Sequence, residues 1–207
     1  VDWPDGPEAH PYTLLAYREL AFEAELQERV HTLAAGRLPG ADVLRELASL
    51  DVLLAERFAE AAFAVAEAAQ VSLEKVRVIG SHGQTLAHHP EEKATLQIAD
   101  PSVIAERTGC TVVADFRPRD LAAGGEGAPL APFFHLATLA DPRESRVALN
   151  LGGIANLTWL PAGDPEGVVA FDVGPANTLV DGVVQLLSRG EVRMDRDGRR
   201  ALLGRAD

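Results

Sequence analysis

A short apolar run at residues 111–114, Thr-Val-Val-Ala, ends abruptly on Asp115. It passes into a basic, glycine-rich segment, Phe-Arg-Pro-Arg-Asp-Leu-Ala-Ala-Gly-Gly-Glu-Gly-Ala-Pro, with no apolar periodicity. A buried parallel strand that delivers a carboxylate to the rim of a sheet has this form. In open α/β sheets the rim at the carboxyl ends of the strands is where ligands bind. Taken alone, Asp115 would as readily cap a turn. The pattern on either side decides what kind of fold can hold it.

Upstream, residues 13–35 read as a helix, because Phe22, Leu26, Val30 and Leu33 recur at three- and four-residue spacing and share one face. Gly36 is a stop signal, residues 36–40 a linker, and Asp42 a cap for a second helix. That helix carries Leu47, Leu50, Leu54, Phe58, Ala62 and Val65 on one stripe and reaches about residue 69, with room for a break. Neither helix offers chemistry, and their Glu- and Arg-rich faces read as solvated.

The period then changes. Residues 76–79 form a strand bounded by Gly80, followed by Ser-His-Gly-Gln-Thr at 81–85. Hydrogen-bonding side chains crowd around one glycine there, so His82 and Gln84 are candidates for holding sugar or phosphate groups. His88 and His89 read as a surface loop rather than a metal site, since neighbouring side chains diverge and no matched Cys or carboxylate cluster accompanies them. His10, His31 and His135 stand alone and read as structural. Residues 95–98 form another strand ending at Asp100, and Pro101 opens a short helix that Gly109 closes. Helix, helix, strand, strand, helix, strand fits an α/β layer arrangement better than a bundle. The glycines at 124, 125 and 127 make either a linker or a binding loop, ahead of a helix at 133–139.

Residues 141–145, Asp-Pro-Arg-Glu-Ser, mark a boundary. Two strand-like runs, 147–151 and 154–160, are joined by Gly152 and Gly153 and read as a tight hairpin. Its amides can face phosphate oxygens, although structural hairpins use the same dipeptide. Residues 168–171 form a strand that ends on Asp172. A Val-Gly-Pro-Ala-Asn turn follows, then a helix at 178–187, with Thr178 and Asp181 spaced as a capping-box variant. A helix N-terminus in that place suits an anion or a magnesium-bound phosphate. An ordinary strand-to-helix connection would account for Gly174 and Pro175 but not for Asp172 beside Asn177. The turn at 194–198 resembles part of a calcium loop but lacks the closing glutamate.

Composition narrows the partners. With 19 basic and 31 acidic residues the net charge is −12, which argues against nucleic acid and anionic membrane, whose affinity comes from basic residues. Cys110 is the single cysteine, so no internal disulfide can form; a cytoplasmic setting fits, and Cys110 reads as a small core residue. No apolar run is long enough to cross a bilayer. The acidic, turn-forming opening at residues 1–6 has no initiating methionine, which suggests a chain cut from something longer.

Taken in order, the motifs at 79–85 (IGSHGQT), 95–100 (TLQIAD), 114–117 (ADFR), 125–130 (GEGAPL), 149–157 (LNLGGIANL), 171–175 (FDVGP) and 195–198 (DRDG) resemble the 1,6-anhydro-N-acetylmuramic acid kinase family of bacterial cell-wall recycling. The resemblance implies an α/β, actin-like ATPase (ribonuclease H-like) two-domain sugar kinase fold, here incomplete at both ends. Residues 1–144 would belong to the first domain and hold the sugar; residues 145–207 would begin the second and carry the phosphate-binding hairpin. The substrates implied are a small amino sugar and ATP, with Mg2+. Asp115 would be the general base, and His82, Gln84 and Arg117 would hold the sugar, Arg117 through its lactyl carboxylate. Gly152, Gly153 and Asn156 would meet the nucleotide phosphates. Asp172, Gly174 and Asn177 would lie where sugar and transferring phosphate meet, with metal and sugar roles left undivided. A homodimer is compatible with the resemblance. The family's first phosphate loop, of Gly-Thr-Ser-x-Asp-Gly type, and its adenine-binding region are absent, so the 207-residue chain is expected to bind ATP weakly and turn over little. The competing expectations are a kinase of the same superfamily for another sugar, a catalytically silent sugar-binding module, and a fragment without a ligand.

Overall fold

A computed structural model of the chain describes residues 12–205. The acidic opening and His10 lie outside the described residues. Helices and small sheets alternate, so the architecture is mixed α/β. The chain forms two compact units, Val1–Ala128 and Pro129–Asp207.

In the first unit, helix α1 spans Ala24–Ala34 and helix α2 spans Gly40–Ala69. The expected start of α1 at residue 13 is too early, because residues 14–23 are irregular. Leu14, Leu15, Tyr17 and Leu20 there are at least half exposed, so no packing partner rewards a helix. Phe22 instead stacks on Phe58 of α2, with ring centroids 6.3 Å apart, and ties the chain down just before α1 begins. Helix α2 is unbroken through 30 residues. Its many alanines and leucines are strong helix formers. Asp42 lies inside its first turn and pairs with Arg45 at 3.2 Å; it does not cap, and Pro39 holds the cap position.

Leu26 and Val30 of α1 and Leu50, Leu54 and Ala55 of α2 form the core with Ile98, Ala99 and Ile104. Strand β1 (Ile79–Gly80) pairs in parallel with strand β4 (Val112–Val113). Both are shorter than the apolar runs that signal them. Strands β2 (Gln84–His89) and β3 (Ala94–Ile98) form an antiparallel hairpin. His88 and His89, expected in a loop, pair with Thr95 and Ala94; tertiary pairing overrides their weak strand preference. Helix α3 (Pro101–Thr108) starts with Asp100 as its cap, which accepts from the Ser102 amide at 2.7 Å, and ends at Gly109 as expected. Helix α4 (Phe116–Ala122) occupies a segment whose sequence showed no period. Cys110 is buried.

In the second unit, helix α5 (Ala131–Leu139) is followed by strands β5 (Arg146–Leu151), β6 (Ile154–Leu160) and β7 (Val169–Pro175) in an antiparallel meander, then helix α6 (Asn177–Leu187). His135 Nδ1 lies 2.9 Å from Thr158 Oγ1 and links α5 to β6. The two-glycine hairpin between β5 and β6 forms as expected. Strand β7 does not stop at Asp172 but continues to Pro175, because β6 still offers pairing partners beyond a bulge at Ala155 and Asn156. The capping box is absent too. Ala176 holds the cap position of α6 without a side-chain bond. Near the C-terminus, Asp195 accepts from the amides of Arg200 and Ala201, which hold its carboxyl below the usual range. No helix among the described residues is long and apolar enough to cross a membrane.

Candidate active site

In the first unit the ends of β1, β3 and β4 surround a cavity of about 200 Å3. Its lining includes Asp51, Ser81, His82, Gln97, Asp100 and Asp115. Gly83 makes the close approach that shapes it. A Cβ on Gly83 would stand 2.8 Å from the Ile98 carbonyl oxygen, so only glycine lets the loop after β1 lie on β3.

Two backbone positions around the cavity are strained. Ala99 has φ +115° and Asp115 has φ +58°. Ala99 sits where a Cβ is disfavoured, at a cost on the order of 1–3 kcal/mol. It is held there from α2: Asp51 Oδ1 accepts the Ala99 amide at 2.8 Å, and the Asp51 carbonyl accepts the Asp100 amide at 3.3 Å. Aspartate tolerates the left-handed region better than most residues. Asp115 occupies the cap position of α4, yet its side chain caps nothing and accepts no hydrogen bond from the described residues. The turn-capping role is therefore not what Asp115 does here.

His82 and Arg117 meet. Arg117 Nε donates to His82 Nε2 at 2.9 Å. That nitrogen must therefore be the acceptor, so Nδ1 carries the proton and donates to the Gly83 carbonyl at 2.9 Å. Arg117 Nη1 donates to the Gly127 carbonyl at 2.8 Å, and the Gly127 amide donates to Asp120 Oδ2 at 2.8 Å. The loop at 124–127 is thus tied to α4 and, through Arg117, to His82. Gln84 stands apart. It lies on β2 opposite Ile98, its amide donates to the Thr85 carbonyl at 3.2 Å, and it does not line the cavity.

Asp51 and Gln97 are the residues that sequence reading missed. A signal for Asp51 was present: it lies four residues after Leu47 and three before Leu54, so it puts a carboxylate inside the apolar stripe of α2. A charge in that position needs a partner, and the Ala99 amide is one.

In the second unit the two-glycine hairpin and the start of α6 are bound to each other. The Gly152 carbonyl accepts the Asn177 amide at 3.0 Å, and the Gly153 carbonyl accepts those of Ala176 and Thr178 at 2.9 and 3.2 Å. Asn177 Nδ2 donates to the Leu151 carbonyl at 2.9 Å. The first amides of α6 are therefore already used, which corrects the expectation that this helix end would receive an anion itself. In a trans peptide the carbonyl and the following N–H point in opposite directions. With its carbonyl aimed at α6, the peptide after Gly152 turns the Gly153 N–H away from the helix. A Cβ on Gly153 would stand 2.9 Å from Thr178 Oγ1, so a side chain there would push hairpin and helix apart. Asn150, Asn156 and Asp172 pair in register across the three strands, and Gly174 stands opposite Ala155. No cluster of three or more His, Cys, Asp or Glu suited to a metal occurs among the described residues.

The chain is similar in sequence to known proteins. The family model for anhydro-N-acetylmuramic acid kinase matches residues 8–207. The chain belongs to that family. It is 39% identical over 203 residues to an anhydro-N-acetylmuramic acid kinase of Caldanaerobacter subterraneus subsp. tengcongensis, covering 94% of this chain and 50% of the relative. It is 45% identical over 196 residues to one of Shewanella woodyi, with 89% and 52% covered. It is 46% identical over 171 residues to one of Acinetobacter baylyi, with 83% and 45% covered. The chain thus spans about half the length of the curated relatives it matches. Among the described residues, the Asp115 cavity and the hairpin bound to α6 carry candidate chemistry.

Proposed function

We propose that the full-length protein uses ATP to open the 1,6-anhydro bridge of anhydro-N-acetylmuramic acid and to phosphorylate its O6, in peptidoglycan recycling. The observation that carries this reading is Asp115: a carboxylate on strained backbone, without a hydrogen-bond partner among the described residues, lining a cavity in a chain of this family. Water is a poor nucleophile, and a carboxylate within hydrogen-bond reach can take its proton as it attacks. Asp115 removes that proton as the water oxygen bonds to the anomeric carbon. The bond from that carbon to the bridge oxygen breaks, the bridge oxygen bonds to the γ-phosphorus, and ADP leaves. Arg117 holds the sugar from the side of the loop at 124–127, and His82, whose two ring nitrogens are spent on Arg117 and the Gly83 carbonyl, orients the guanidinium. Arg117 has Nη2 left over for the lactyl carboxylate, since its Nε and Nη1 are spent on His82 and Gly127.

The fold reading is an actin-like pair of α/β domains, with the first residue set for sugar and the second for nucleotide. The hairpin of Gly152 and Gly153 suits phosphate, because the Gly153 N–H is directed away from α6 and no Cβ blocks it. Asn156 lies in register with Asp172 beside it. A magnesium ion needs oxygen ligands and keeps several waters, so one carboxylate with amide oxygens is a fitting donor set. Asp172 and Asn156 would hold it, and bound there it would offset phosphate charge. Gly174 and Asn177 support that edge through the β6–β7 pairing and the bond to Leu151. A cytoplasmic place of action and a homodimer belong to the same reading.

Incubating the full-length protein with the anhydro sugar and ATP tests it. A product heavier than the sugar by one water and one phosphoryl group is expected by mass spectrometry. Phosphorylation without water uptake, or of a different sugar only, overturns the reading.

A further inference from the structure

Two residues that line the Asp115 cavity carry a buried polar atom with no hydrogen-bond partner among the described residues. Ser81 is only 6% exposed, and its Oγ has no hydrogen-bond partner among the described residues. Gln97 Oε1 is enclosed and unpaired in the same sense. Both residues line the cavity. A buried hydroxyl or amide oxygen left unpaired costs stability, so a fold keeps one where something else rewards it.

The hydrogen bonds settle which way the Gln97 amide faces. Thr95 Oγ1 donates to the Ala87 carbonyl at 3.2 Å, lies 3.1 Å from His88 Nδ1, and accepts from Gln97 Nε2 at 2.8 Å. The nitrogen of the amide therefore faces Thr95, and it also reaches Thr85 Oγ1 at 3.3 Å. With the nitrogen committed to the hairpin, Oε1 is left as a buried acceptor that no described residue uses. Ser81 is fixed as firmly. Its amide donates to the Val113 carbonyl at 2.8 Å and prolongs the β1–β4 pairing, so the hydroxyl is positioned by the sheet.

The charge around these atoms selects the ligand. Asp51, Asp100 and Asp115 all line the cavity, and carboxylates repel an anionic group. Asp51 and Asp100 already accept the Ala99 and Ser102 amides. We infer that Ser81 and Gln97 bind a neutral edge of the sugar, a hydroxyl or an amide N–H, which donates to Gln97 Oε1 and exchanges a hydrogen bond with Ser81 Oγ. The anionic edge of the sugar is then left for Arg117, which does not itself line the cavity but is bound to His82, which does. This assignment rests on the cavity being the sugar site.

Ser81→Ala in the full-length protein is the deciding variant, with Gln97→Met as the second. Losing one such bond is expected to weaken sugar binding about tenfold, read by calorimetry and as a rise in KM for the sugar rather than for ATP. Ser81→Ala should keep or raise Tm, because it deletes an unpaired buried hydroxyl. A purely structural role predicts the reverse: a lower Tm with sugar affinity unchanged. Gln97→Met also loosens the hairpin, so the outcome for Ser81→Ala takes precedence. Sugar binding by Ser81→Ala as tight as wild type overturns the inference. Sugar bound by the wild type without turnover would sink the kinase reading alone, and the Ser81→Ala comparison would still decide this one.

Discussion

The two units use their residues differently. In the first, Leu50 and Leu54 are fully buried, and the packing they anchor holds Ala99 in a strained conformation beside a cavity open to solvent, where Asp115 is exposed. In the second, Val147, Leu149 and Phe171 on one face of the sheet are each more than half exposed, and the candidate residues are spread over the β5–β6 turn, the middle strand β6, the outer strand β7 and the start of α6. One site is held by a core that can carry strain. The other is held by backbone hydrogen bonds between a hairpin and a helix. Strain needs surrounding structure that over-determines it, which the first unit supplies. A phosphate-facing backbone needs only a fixed peptide orientation, which the bonds from Gly152 and Gly153 to α6 supply.

The contrast can be broken at several places. Asp115→Asn in the full-length protein should cut kcat by roughly 100- to 10,000-fold. It should leave Tm unchanged, because asparagine also accepts the left-handed region and the carboxylate makes no protein bond. Retained activity would remove Asp115 from the chemistry. Gly153→Val should raise KM for ATP by roughly 10- to 100-fold with sugar affinity intact, because it forces hairpin and α6 apart. Equal losses for both substrates would mean that the two sites are not divided as proposed.

Stability should separate the units as well. In the 207-residue chain Leu54→Ala is expected to cost about 2–5 kcal/mol in denaturant unfolding. Leu149→Ala should stay within about 0.5 kcal/mol. Comparable costs would show that the sheet face of the second unit is covered. The smallest effect concerns the α1–α2 junction, where Arg29 Nε lies 2.7 Å from Glu46. The hydrogen bond from Arg29 pulls the Glu46 carboxyl below its usual range. Its folded value thus lies under its unfolded one, so the pair stabilises above the unfolded value, about pH 4.3, and the gain is lost as pH falls through the folded value. Glu46→Gln should lower Tm by roughly 1–3 °C at pH 7, and the gap should close in acid.

Much of this was legible in the chain itself. Periodicity located α1 and α2, Asp100 and Pro101 marked the start of α3, and the two glycines marked the β5–β6 hairpin. These are local rules: one face of a helix, one cap, one turn. The ordered motifs also carried the family. What sequence could not settle depended on distant partners. β7 runs past Asp172 because β6 is there to pair with it, and His88 joins a strand because Thr95 lies opposite. Asp51 enters the cavity because α2 packs against the turn at Ala99, 48 residues away along the chain. Gln97 was inside a recognised motif, but only the tertiary structure shows Thr95 and Thr85 claiming its nitrogen and its oxygen left unpaired. Local chemistry chose the elements, and hydrogen bonds between remote segments chose which side chains face a ligand.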